Sequence, residues 1–146
     1  MKEPDRRLKE RLRWSAIGLG LKVLARVLMH VAKRDEWMGR AVATCDGIYR
    51  FENGPGNLHC FLVFQNGRIL AAREWPQPAH ATFTIYNPSA FGLNLRAEGI
   101  LETVIGNKVG QSGNLYYMFQ FGFIMSLIER YFTARKRQRK DAAVNP

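Results

Sequence analysis

Hydrophobic positions recur along this chain with two periods, and the change of period divides it. Over 14–34 the spacing is helical. At about 100° per residue Ile17, Leu21, Leu24, Val27, Leu28 and Val31 share a broad apolar arc, while Ser15, Lys22, Arg26, His30 and Lys33 fall in a narrow strip opposite. From Gly47 the period becomes two. Tyr49 and Phe51 alternate with Arg50 and Glu52 as in a half-buried strand, and Asn53-Gly54-Pro55-Gly56-Asn57 is a turn by composition. His59 to Gln65, HCFLVFQ, is apolar almost throughout and predicts a central strand covered on both faces. Asn66-Gly67 then predicts a type I′ hairpin, because that turn needs positive φ at both positions, with a return strand over 69–74. A fourth strand, 80–86, places Phe83 and Ile85 on one face and Thr82, Thr84 and Tyr86 on the other. Two short helices are predicted over 89–96 and 97–106, then a fifth strand over 108–112.

The last element departs from these patterns. Asn114 is a good N-cap for a helix starting at Leu115, and that helix is apolar nearly all the way round as far as Ile128, with Gln120 and Ser126 the clear polar exceptions. A surface helix carries one apolar stripe, so this one calls for burial on more than one side. It is too short to span a bilayer, which takes roughly 20 apolar residues, and Glu129-Arg130 closes it.

Charge sharpens the division. The 146 residues carry a net charge of +10, and its placement is uneven. Residues 1–40 hold eleven Lys and Arg against five acids, 133–146 hold five against one, and 41–132 hold six against six. We therefore expect a basic amphipathic helical extension over 1–40, a neutral domain over 41–132 and a basic, disordered tail over 133–146, the ends acting as an electrostatic tether. The candidate docking residues are Lys22, Arg26, Lys33, Arg135, Lys136, Arg137, Arg139 and Lys140. Helix 14–34 fits a membrane interface, its own domain, a second copy of the chain or a partner enzyme. Lys22 and Arg26 argue against a signal core or a transmembrane span there, since each costs about 2.5 to 3.5 kcal/mol at a helix centre.

Catalytic and metal chemistry is not expected. His30, His59 and His80 lie in separate elements without ligand spacing, and Cys45 and Cys60 are expected as reduced thiols in the cytoplasm. His59 and Cys60 are neighbours on a strand and point to opposite faces. Glu98 and Glu102 share a solvated helical face, and Gly106 to Gly110 lacks the Lys-Ser/Thr end of a phosphate loop. No cofactor is called for. Nucleic acid is not an expected partner, because the aromatic residues sit in the neutral domain and the basic ones outside it.

The strand with Gly47, Tyr49 and Phe51, the Asn66-Gly67 hairpin, the strand Ala81-Thr82-Phe83-Thr84, and the passage through Asn107-Lys108-Val109, Gly113-Asn114-Leu115 and Phe121-Gly122 together resemble the sterol carrier protein family, in particular its small bacterial members. The resemblance covers about residues 47–128. It implies an α+β fold: a five-stranded, largely antiparallel sheet with helices packed on one face, enclosing an apolar tunnel for a lipid or acyl chain. The residues point the same way, since ligand pockets are lined mainly by apolar side chains. The candidate wall comprises Phe83, Ile85, Phe91, Leu95 and Ile100, continued by Val104, Leu115, Met118, Phe119 and Phe123.

The expected function is non-catalytic binding or transfer of a sterol, fatty acyl or isoprenoid chain. The protein would be cytoplasmic and would dock peripherally on an anionic inner-membrane surface. The alternative is an accessory subunit that presents a lipid-like substrate to partner enzymes.

Overall fold

A computed structural model describes residues 2–86 and 109–144. The two helices expected over 89–96 and 97–106 lie outside them. Helix α1 (Glu3–Arg34) opens on Pro4 with Glu3 and Asp5 in its first turn and closes on Lys33 and Arg34, so its end charges oppose the helix dipole. Asp35 ends it and begins α2 (Glu36–Thr44): its backbone N–H donates to the Val31 carbonyl at 2.8 Å, and its carboxylate accepts from the Met38 N–H at 2.9 Å.

The strands are β1 (Ile48–Asn53), β2 (His59–Gln65), β3 (Arg68–Ala72), β4 (Ala81–Ile85) and β5 (Val109–Gly113), in the spatial order β3-β2-β1-β4-β5. Helix α3 (Leu115–Val144) follows. The sheet is mixed: β1 and β4 run parallel, with Phe51 opposite Phe83, while the other pairs are antiparallel. The middle strand is β1, and β2 is the interior strand beside it. This parallel pair is where the largely antiparallel expectation needed refinement, because β4 returns past the β2–β3 hairpin to the opposite side of β1.

Positive φ angles fix two of the chain's reversals. Asn66 and Gly67 have φ of 53° and 73°, as the predicted I′ turn requires. Gly113 has φ of 111°, and a Cβ there would sit 2.5 Å from the His80 carbonyl oxygen. Only glycine fits this turn from β5 into α3.

One sheet face carries the main core. Tyr49, Phe51, Leu62, Phe64, Phe83 and Ile85 are buried there beneath α1, α2 and α3. Onto this face α1 lays Trp14, Ile17, Leu21, Ala25, Leu28 and Val31, at helical spacing. Each large apolar side chain buried this way contributes about 1.5 to 3 kcal/mol. The apolar arc of α1 is thus occupied by its own sheet, and Lys22, Arg26, His30 and Lys33 remain exposed. By length and composition alone, α1 also contains an 18-residue window apolar enough to cross a membrane.

The other sheet face buries Ile48, Phe61 and Val63 under Trp75 and Ala79. That second cover explains why β2 is apolar on both sides.

Candidate functional site

The passage from β5 into α3 is tied down by several bonds. The Asn114 N–H donates to the His80 carbonyl at 2.9 Å, and the Asn114 side chain accepts from the Tyr116 N–H at 2.9 Å, the predicted N-cap. The His80 ring stacks on Tyr117 with centroids 4.0 Å apart, and its Nδ1 accepts from the Ile48 N–H at 2.9 Å. Tyr49 donates its hydroxyl proton to the Tyr117 carbonyl at 2.8 Å. Burial pushes that phenol well above its ordinary range, first by desolvation and then through neighbouring Cys45. Cys45 and Cys60 are both buried free thiols. Burial pushes the Cys60 thiol up to about 12 and raises Cys45 as well, so neither supplies a thiolate at neutral pH.

So positioned, α3 buries Phe121, Ile124, Met125 and Ile128. Phe121 meets Tyr49 at 5.0 Å and Phe83 at 5.3 Å between ring centroids, while Phe51 and Phe83 stack at 5.3 Å. At this point the space between α3 and the sheet is filled by side chains.

The candidate wall is therefore divided. Phe83 and Ile85 are core residues beneath α3, and Met118 is half-buried against the same core. Leu115, Phe119 and Phe123 lie on another face of the helix, 66%, 74% and 54% exposed, next to exposed Tyr116. The reason is angular: 115, 119 and 123 form one i, i+4 stripe, and 121, 124, 125 and 128 form another. Phe91, Leu95, Ile100 and Val104 lie outside the described residues.

The basic candidates all remain exposed. Residues 133–144, expected as a disordered tail, continue α3 as helix to Val144. The helical register places Arg135, Lys136, Arg139 and Lys140 within an arc of about 140°, with Arg137 outside it. Arg135 also donates to the Tyr131 hydroxyl at 3.3 Å and lies over that ring.

A cavity of about 590 Å³ lies elsewhere, between the first half of α1 and the ends of β2 and β3. Trp14, Leu21, Leu58 and Cys60 give it apolar walls, and Arg11, Lys22 and Arg73 bring positive charge to it. The one carboxylate among its described lining residues, Glu74, is engaged by His59 Nε2 at 2.9 Å. The Trp14 indole N–H is buried and has no hydrogen-bond partner among the described residues, and neither does His59 Nδ1. An unmet buried donor of this kind costs about 1 to 3 kcal/mol. The periodicity of 14–34 does not single out this cavity. The one available signal was Gly18, a small residue where the helix passes over the hairpin.

No protein-family model and no curated protein matches the chain. Solved structures do match. A structure titled UbiJ-SCP2 ubiquinone synthesis protein superposes with a TM-score of 0.56 at 16% identity, over 75% of this chain and 95% of that one. The sterol carrier protein domain 2 of Helicoverpa armigera superposes with a TM-score of 0.56 at 13% identity, over 75% and 88%. At such identities the likeness concerns the course of the backbone. The mixed five-stranded sheet, with helices gathered on one face, gives this chain the sterol carrier protein fold.

Proposed function

We propose that this protein binds or transfers a lipid, a sterol, fatty acyl or isoprenoid chain, without catalysis, and docks on anionic membranes through its basic helices. The observation that carries the reading is the second apolar face of α3. Leu115, Tyr116, Phe119 and Phe123 present a contiguous apolar stripe while the helix's other stripe already holds the core. Such a stripe marks a ligand or partner surface on a domain of this size. Covering it with hydrocarbon returns about 0.8 kcal/mol per CH₂. The shared fold supports the reading, since one of the matched structures is titled a sterol carrier protein domain. The cytoplasmic face of an inner membrane suits the exposed cations, each worth about 1 kcal/mol near an anionic surface.

Native mass spectrometry followed by organic extraction tests the ligand. A lipid released from the full chain and lost in Phe119→Ser/Phe123→Ser supports the proposal, and a protein that carries none and takes up none from vesicles sinks it. Docking is tested by flotation with vesicles containing anionic lipid. Arg135→Glu/Lys136→Glu/Arg139→Glu/Lys140→Glu in the full chain should float several-fold less than the parent, and equal flotation removes the tether.

A second reading is favoured by the match to a structure titled as a ubiquinone synthesis protein. In it the same apolar stripe presents a lipid-like substrate to partner enzymes. Enzymes that co-purify with the full chain and are lost with Phe119→Ser/Phe123→Ser distinguish it from free transfer.

A further inference from the structure

We infer that the cavity between α1 and the β2–β3 hairpin is a second binding site, separate from the open stripe of α3, and that it takes a single-chain amphiphile with an anionic headgroup. The site is built at the β3 edge of the sheet, whereas α3 begins beside β5 at the opposite edge. Its volume, about 590 Å³, lies within the range of about 300 to 1,000 Å³ typical of small-ligand sites.

Two features of the cavity select the ligand. Its walls at Trp14, Leu21, Leu58 and Cys60 are apolar, which favours a hydrocarbon stem. Its charges are unbalanced: among the described lining residues Arg11, Lys22 and Arg73 stand against a single carboxylate, Glu74, already held by His59. That surplus favours an anion over a neutral or cationic head. A bare anion leaves the apolar walls uncovered, and a neutral tail leaves the cations unanswered. An amphiphile meets both. Trp14, 6% exposed, is part of the wall and so reports on what fills the cavity.

Gly18 provides a test that does not threaten the fold. It lines the cavity, and a Cβ added there meets nothing within 4 Å. A leucine at this helical position fills the space and raises helix propensity. Binding is read from Trp14 emission in a full-length chain carrying Trp37→Phe and Trp75→Phe. The probes are dodecyl phosphate below its micelle concentration, dodecanol and inorganic phosphate.

Dodecyl phosphate should bind at least tenfold more tightly than either of the other two. Lys22→Glu/Arg73→Glu should weaken it about tenfold. Gly18→Leu should abolish the response without lowering the melting temperature, and Phe119→Ser/Phe123→Ser should leave it intact. The last variant separates this site from the α3 stripe, so either can fail alone. Equal affinity for dodecanol, equal affinity for inorganic phosphate, or an unchanged response in Gly18→Leu overturns the proposal.

Discussion

Gly113 carries more of the fold than its size suggests. Its φ of 111° lies where L side chains strain, and a Cβ would press on the His80 carbonyl and the Ala81 backbone. Gly113→Ala is expected to cost about 2 kcal/mol or more, read as a lower urea midpoint. Cys60 makes a second residue-scale prediction. Burial lifts its thiol from an ordinary 9.0 to about 12, so between those values the unfolded chain loses a proton that the folded chain keeps. Stability is therefore fully present below pH 9 and declines as pH rises toward 12. Tyr49, raised by burial in the same direction, adds to the decline above pH 10. Urea midpoints at pH 8 and pH 10.5 should show the fall, and Cys60→Ala should show a smaller one. At this scale the sequence was readable where local chemistry decides: Asn66-Gly67 as a I′ turn and Asn114 as a cap. Gly113 entered there as part of the passage that carries the family resemblance, but its constraint was not legible, because it comes from His80, a residue distant along the chain.

At the scale of elements, the strands were legible because alternation reports burial directly. The expected pointing of Tyr49 and Phe51, and of Phe83 and Ile85, matches the observed faces, and each strand end shifted by no more than two residues. Helix α3 was legible as apolar on several sides, but not as to which side holds the sheet. Two stripes of similar hydrophobicity compete in its sequence, and the register of the β5–α3 turn chooses between them. Truncation should expose that choice. Phe121→Ala is expected to cost about 3 to 5 kcal/mol, because it leaves a hole among Tyr49, Phe51 and Phe83. Phe119→Ala should change stability by less than about 0.5 kcal/mol. Chemical unfolding of the two variants checks this, and equal losses would mean that the helix is rotated from the orientation described. Residues 133–146 are expected from the sequence as a basic, disordered tail. The structure continues 133–144 as helix on the end of a segment already nucleated by packing, where adding each residue takes far less than starting anew.

For the whole molecule, the position of α1 decides how the charged N-terminal region should be regarded. Six of its side chains lie in the same core as β2, β3 and α2. Removing residues 1–34 would strip that face of Leu62, Phe64 and Ile69 of its cover. The truncated chain is expected to lose cooperative thermal unfolding and to bind a dye that reports exposed apolar surface; an unaltered melt would show that α1 is dispensable. Helix α1 turns one apolar arc inward and leaves Leu8, Leu12, Leu19 and Val23 exposed beside its cations, so the electrostatic part of the proposed docking by this helix should weaken as salt rises.

The sequence by itself determined the periods, the turns, the cap and the separation of charge from the neutral middle. These depend on neighbours within a few residues, so they can be read before anything is packed. The order of strands across the sheet, the parallel pairing of β1 with β4, the stripe of α3 that stays open and the cavity under α1 were decided only in three dimensions. Each of them depends on which distant surfaces meet, and a chain's hydrophobic pattern says that a face must be covered without saying what will cover it.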